Sequence, residues 1–145
     1  MTAEPSRGLL DTNILILQAA IDPGDLPDEI AISAITLGEL TAGVQLIAPV
    51  DSDSRMEFAR RLDVLQRAED SFDPLPYDTE AARAYGRIAA VVAASGRSVR
   101  ARVADLQIAA VAAANALPVY TTNPADFAGL EGIVEVVAVS RPSVT

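Results

Sequence analysis

Four acids stand at points where the chain changes its pattern of apolar residues. Asp11 interrupts the apolar run GLLDTNILI, Glu39 closes Thr36-Leu37-Gly38-Glu39, Asp105 opens an alanine-rich stretch in RVADLQIAAVA, and Asp126 follows VYTTNPA. A carboxylate buried among apolar groups is costly unless something pairs with it. Carboxylates brought together repel, and each raises the others' pKa unless a cation intervenes. A site with oxygen ligands alone suits Mg²⁺ or Mn²⁺, which bind through a few carboxylates together with water and a substrate phosphate. Each acid also has a structural explanation. Thr36 and Glu39 fit a capping box, Asp105 in a first helical turn complements the helix dipole, and Asp11 and Asp126 lie in turn-forming sequences.

What the chain lacks narrows its chemistry. Cysteine and histidine are both absent from its 145 residues, which excludes Ser-His-Asp and Cys-His nucleophile systems, a histidine base and His/Cys zinc sites. Missing cysteines are compatible with a reducing compartment. Net charge is −9, a poor global field for attracting phosphates. Local charge can overrule it: every basic residue is arginine, and Arg97, Arg100 and Arg102 cluster in GRSVRAR. Guanidinium forks suit phosphate, although such a run is equally a solvated turn. No aromatic residue interleaves it, so base stacking is not indicated there. Phe58, Tyr77 and Tyr85 read as core or interface.

The elements that must carry these residues follow from periodicity. Arg7 to Leu10, Ile30 to Ile35, Phe72 to Leu75 (weakly), Pro118 to Thr121 and Ile133 to Val139 read as strands. Helices are expected over Asn13 to Ile21, from Thr36 to about Ile47, over Arg55 to Glu69, over Asp78 to Ala94 with Ala81, Tyr85, Ile88 and Val92 on one stripe, and over Val103 to Asn115. Glu39 then falls in the first turn of the second helix. Alternating strands and helices argue for one α/β domain with a mainly parallel sheet of about five strands, whose ligands bind beyond the carboxyl ends of the strands. The length suits one domain, residues 1–145. No apolar run reaches the about 20 residues of a membrane span, and MTAEPSRG lacks the blocks of a signal peptide, so a cytoplasmic protein is expected. The ends, through about Ser6 and from about Arg141, are expected to fray.

Taken together, LLDTNILI, SAITLGEL, RVADLQIAAVA and VYTTNPADF, in that order along nearly the whole chain, resemble a PIN domain of the VapC toxin family. The resemblance implies a three-layer α/β/α fold and a metal-dependent endoribonuclease, the toxin half of a toxin–antitoxin pair and frequently a homodimer. Position by position it implies Asp11, Glu39 and Asp105 as metal-binding acids, with Asp126 as the outer acid and Asn123 as a polar orienter. On that basis Asp11 and Asp105 hold the principal Mg²⁺ (or Mn²⁺), while Glu39 and Asp126 orient waters or complete a second site. Thr12 and Thr121 supply supporting hydroxyls, and Arg97, Arg100 and Arg102 contact RNA phosphates. The implied antitoxin would inhibit by inserting an arginine or lysine among the acids. The rival is a catalytically silent PIN-like module that binds RNA or protein. Receiver domains and haloacid-dehalogenase-like phosphatases also set acids at strand ends, but both use a lysine and this chain has none.

Overall fold

The computed structural model describes residues 4–143. Strand β1 (Arg7–Leu10) leads into α1 (Thr12–Leu17), then β2 (Glu29–Ala31), α2 (Ala34–Gln45), α3 (Ser52–Ser71), α4 (Thr79–Ala94), α5 (Val103–Ala114), β3 (Val119–Thr121) and β4 (Val136–Ala138). The strands form one four-stranded sheet in the order β2-β1-β3-β4, and all three pairings are parallel.

Alternation along β1 divides the core. Leu9 packs with Ala84, Ile88 and Val92 of α4, Ile108 and Val111 of α5, and Phe127. The next residue, Leu10, points to the opposite face and packs with Ile14 of α1, Leu40 and Val44 of α2, and Leu65 and Ala68 of α3. Period-two side-chain alternation therefore produces the three layers, with helices on both faces of the sheet. Helix α5 is apolar nearly all round, and Leu106 and Ile108 to Ala112 are all buried.

Several boundaries depart from the periodicity. Four strands form rather than five, because Phe72 to Leu75 contributes only a single bridge between Ser33 and Leu75. Leu75 N–H donates to the Ile32 carbonyl at 2.9 Å and its carbonyl accepts from Ala34 N–H at 2.8 Å. Pro74 and Pro76 flank it and have no N–H to extend the ladder. Helix α2 begins two residues before Thr36, capped by Ser33, whose Oγ accepts from Thr36 N–H at 3.1 Å. The capping box on Thr36 and Glu39 is therefore absent, and Glu39 lies in the second helical turn. Helix α1 tightens into a 3₁₀ turn at Gln18–Ala20, and α3 starts earlier than its apolar stripe, where Asp51 and Ser54 form a reciprocal capping box. Ser6 is pinned rather than frayed: its carbonyl accepts from Glu29 N–H at 2.9 Å, and its side chain accepts from Asp28 N–H at 2.9 Å. Residues 1–3 and 144–145, where fraying is also expected, lie outside the described residues.

Gly8 sits where β1 passes beneath a ring. A Cβ built there would lie 2.3 Å from Tyr120 Cε1 and 2.6 Å from Cδ1, so any side chain must displace the aromatic ring of the neighbouring strand. Gly8→Ala is expected to destabilise the fold by about 1–3 kcal/mol, the usual cost of overpacking. Chemical denaturation checks this, and an unchanged midpoint would show that Tyr120 moves aside freely.

Candidate active site

The strand order reverses between β1 and β3: the chain proceeds from β1 outward to β2, then returns to place β3 on the other side of β1. Open α/β sheets bind ligands at such a switch point, beyond the carboxyl ends of the strands. Asp11 is the residue that follows β1, and Thr121 ends β3. Parallel pairing sets Leu10 against Tyr120, and Asp11 N–H donates to the Tyr120 carbonyl at 3.1 Å. The Thr121 hydroxyl then donates across the gap to Asp11 Oδ2 at 2.5 Å. Asp11 Oδ1 accepts from Ile14 N–H at 3.1 Å, so the same carboxylate caps α1. Asp11 is thus a helix cap rather than a turn former, yet capping alone does not account for a carboxylate only 5% exposed.

Glu39 reaches the same edge from α2. Its Oε1 accepts from Thr12 Oγ1 at 2.6 Å, and Thr12 Oγ1 also meets Thr36 Oγ1 at 3.1 Å. Asp105, in the first turn of α5, comes from the other side of the sheet. Asp126 lies in the 3₁₀ turn Pro124–Phe127 after β3. Its Oδ2 accepts from Asn123 Nδ2 at 2.8 Å, and its charge is felt at Asp105.

Electrostatics ties the four together. Desolvation is the largest influence on Asp105, followed by repulsion from Asp126, Glu39 and Asp11; only Arg102 opposes them, and the carboxyl is pushed up to about 6. Burial is likewise the main cause raising Asp11, with Asp126 and Glu39 adding to it, against the lowering hydrogen bonds from Thr121 and Ile14. All four predicted acids therefore share one field. Among the described residues, however, no three of them converge closely enough to enclose an ion by direct ligation alone.

The three clustered arginines divide. Arg97 donates from Nη1 to the Ala128 carbonyl at 3.2 Å and from Nη2 to the Ala125 carbonyl at 3.3 Å, fastening the α4–α5 connection to the turn that carries Asp126. Arg102 Nη1 lies 3.7 Å from Asp126 Oδ1 and donates to the Ala125 carbonyl at 3.4 Å. Arg100 is exposed. Periodicity missed two contributors, Ser33 and Thr36, both fully buried behind Glu39; their signal was the S-x-x-T spacing after a β-branched run. It also missed a cleft of about 520 Å³ beside Thr12 and Glu39, with Ile16, Leu40 and Val64 among its apolar lining and Arg60, Arg61 and Arg67 along one side. Tyr77 and Tyr85 pack against one apolar cluster and Phe58 against the other, as expected.

The raised carboxyl of Asp105 makes stability pH-dependent. Its folded pKa exceeds its unfolded value, so the folded state binds the extra proton, and stability falls as pH rises from about 4 through about 6. Removing this carboxylate removes the penalty. In EDTA, Asp105→Asn is expected to melt above the wild type at pH 7.5, with the difference shrinking towards pH 4. Equal melting temperatures across that range would mean that solvent screens the repulsion completely.

Comparison with known proteins fits this geometry. The sequence model of the PIN domain matches residues 9–132, most of the chain. The chain is 41% identical over 139 residues to "Ribonuclease VapC5" of Mycobacterium tuberculosis, covering 94% of this chain and 96% of that protein. It is 34% identical over 110 residues to "Ribonuclease VapC8" of the same species, across 75% of this chain and 93% of that one. Among solved structures, VapBC-5 of M. tuberculosis, described as a member of the VapBC family of toxin-antitoxin systems, superposes with a TM-score of 0.77 at 41% identity, over 94% of this chain and 100% of that chain. DNA-bound VapBC from Salmonella typhimurium gives 0.66 at 28% identity, over 90% and 96% respectively. The chain therefore belongs to the PIN domain family and, within it, to the VapC ribonucleases.

Proposed function

We propose that this protein is a divalent-cation-dependent endoribonuclease hydrolysing RNA phosphodiester bonds, and the toxin half of a toxin–antitoxin pair in the cytoplasm. The observation that carries the reading is the gathering of Asp11, Glu39, Asp105 and Asp126 at the switch point, where burial first and repulsion from the other three acids second push the Asp105 carboxyl up to about 6. A fold retains such repulsion where a cation relieves it. The donor set fits Mg²⁺ or Mn²⁺: it is all oxygen, and Mg²⁺ takes one or two carboxylates and keeps several waters, so three converging acids are not required. When bound, the ion supplies a lowered pKa for an attacking water and polarises the phosphoryl oxygen.

The chain's own residues supply the positioning. Asp11 and Asp105 hold the principal ion, Asp11 being fixed by Ile14 N–H and the Thr121 hydroxyl. Glu39, anchored by Thr12, and Asp126, anchored by Asn123, orient water or complete a second site. Residues 1–145 act as one PIN-like domain. Among the described residues, no helix is long and apolar enough to cross a membrane. A homodimer belongs to the same reading, with Leu46 and Val50, exposed between α2 and α3, and Met56, exposed on α3, as apolar surface for it. An antitoxin would insert an arginine or lysine among the acids, and the cleft beside Glu39, lined in part by Ile16, Leu40 and Val64, would take its flanking segment. The second reading, a silent PIN-like binding module, is favoured by one observation: among the described residues, no three acids enclose an ion.

Cleavage of structured RNAs with and without EDTA separates the two readings. Asp11→Asn and Asp105→Asn are each expected to lower cleavage by more than the roughly 10–100-fold typical of losing a partner to a metal ligand. Cleavage that survives EDTA and both substitutions in folded protein would reject the metal-dependent nuclease.

RNA phosphates are expected to meet Arg100 and Arg102 at the rim. Arg97 contributes less to binding, because its guanidinium is committed to two carbonyls. Arg100→Ala should reduce the slope of log affinity against log salt by about 1. Arg97→Ala should mainly lower the melting temperature. A slope unmoved by Arg100→Ala would assign that residue to bare solvated surface.

A further inference from the structure

Glu39 ends a one-way chain of hydrogen bonds, and we infer that the buried Thr36 hydroxyl is a positioning residue that fixes the Glu39 carboxylate for the reaction proposed above, on which this inference rests. The direction of the chain follows from counting protons. An ionised carboxylate only accepts and a hydroxyl has a single proton to give. Thr12 gives its proton to Glu39 Oε1 at 2.6 Å. In the 3.1 Å contact between Thr12 and Thr36, Thr36 is therefore the donor. With its proton committed, Thr36 accepts from Ser33 Oγ at 3.4 Å, and Ser33 Oγ in turn accepts from Thr36 N–H at 3.1 Å. Every hydroxyl along Ser33, Thr36 and Thr12 points its proton toward Glu39.

Burial makes the arrangement hard to replace. Ser33 and Thr36 are both 0% exposed, so water does not substitute for a missing member. A helical threonine ordinarily donates to the carbonyl one turn back. Thr41 in the same helix does so, to Leu37 at 2.8 Å, whereas Thr36 is turned instead to Thr12. Thr12 adjoins Asp11 in the chain, so the bonds tie the end of β1 to the second turn of α2 and set Glu39 relative to Asp11. Glu39 itself is exposed; without Thr12 and Thr36 its side chain has the full rotamer freedom of a surface glutamate. Hydrogen bonds in series polarise one another, and Thr36 is the middle hydroxyl, accepting from Ser33 and donating to Thr12, so its loss breaks the chain on both sides.

The test uses the full chain, with Mn²⁺ as the metal probe. Thr36→Val keeps the shape and removes the hydroxyl, Thr36→Ser keeps the hydroxyl, and each is made in the wild type and in Glu39→Ala. Mn²⁺ affinity is measured by calorimetry, and kcat and KM on RNA are measured separately. Thr36→Val should weaken Mn²⁺ binding and kcat by about 10–100-fold, the scale of lost partners to metal ligands, with KM little changed; Thr36→Ser should stay within about threefold. In the Glu39→Ala background, Thr36→Val should change Mn²⁺ affinity no further, because the group it positions is gone. An equal loss in both backgrounds, or no loss in the wild type, overturns the inference. If Glu39→Ala itself leaves Mn²⁺ binding and cleavage intact, the assignment of Glu39 to the site falls, and the inference with it. Should Thr36→Val not fold, Thr36→Ala carries the same cycle with the same outcomes.

Discussion

The fold closes around a single buried charge. Asp11 is 5% exposed at the carboxyl end of β1, and a carboxylate so placed needs donors on both oxygens or it stays protonated. One donor is the amide that begins α1, the other the hydroxyl that ends β3. The second donor lies 110 residues from Asp11 in sequence. They meet only if β1 and β3 are neighbours in the correct parallel register, because a one-residue slip would turn Thr121 to the other face. The register that buries Leu9 and Leu10 on opposite faces is therefore the one that assembles the site.

Apolar burial and acid repulsion pull in opposite directions at this edge. The two clusters on either side of the sheet, one under α4 and α5, the other under α1, α2 and α3, supply the stability. Four carboxylates drawn to one rim subtract from it, and Asp105 registers the loss in its raised pKa. Sites that hold groups for chemistry commonly carry such a stability cost. Here the fold distributes it: Asp11 arrives on β1, Glu39 on α2, Asp105 on α5 and Asp126 on the turn after β3. No single element carries two of these four acids, and their repulsion is felt only in the assembled tertiary structure.

That distribution explains what was legible in the sequence. The strand and helix alternation and the acids at element ends follow from local patterns, which carry period-two and period-3.6 information directly, whereas the three-layer arrangement came from the resemblance. The fifth strand was misread because Phe72 to Leu75 has apolar residues of strand type, although Pro74 and Pro76 remove the donors a ladder needs. Thr36 and Glu39 mimicked a capping box, whereas Ser33, immediately before the true start of α2, is the residue that caps the helix. The Thr12 to Glu39 and Thr121 to Asp11 contacts span 27 and 110 residues and leave no local periodic trace. Arg97 looked like free charge for a similar reason: its carbonyl partners, Ala125 and Ala128, are distant in sequence.

The arginine at the rim bears on how such a site would be kept silent. Arg102 already stands 3.7 Å from Asp126, with side chains 25% and 31% exposed, and it is the only influence on Asp105 that opposes the repulsion. A guanidinium thus fits this edge sterically and relieves part of the field without a metal. Partial exposure keeps the pair weak, since solvent screens it, so Arg102 leaves most of the negative potential in place. A second cation delivered deeper, among Asp11, Glu39 and Asp105, would act where water is scarcer and each charge contact is stronger. The acidity that suits a divalent ion would then also suit a partner's arginine, and binding of one would exclude the other by linkage.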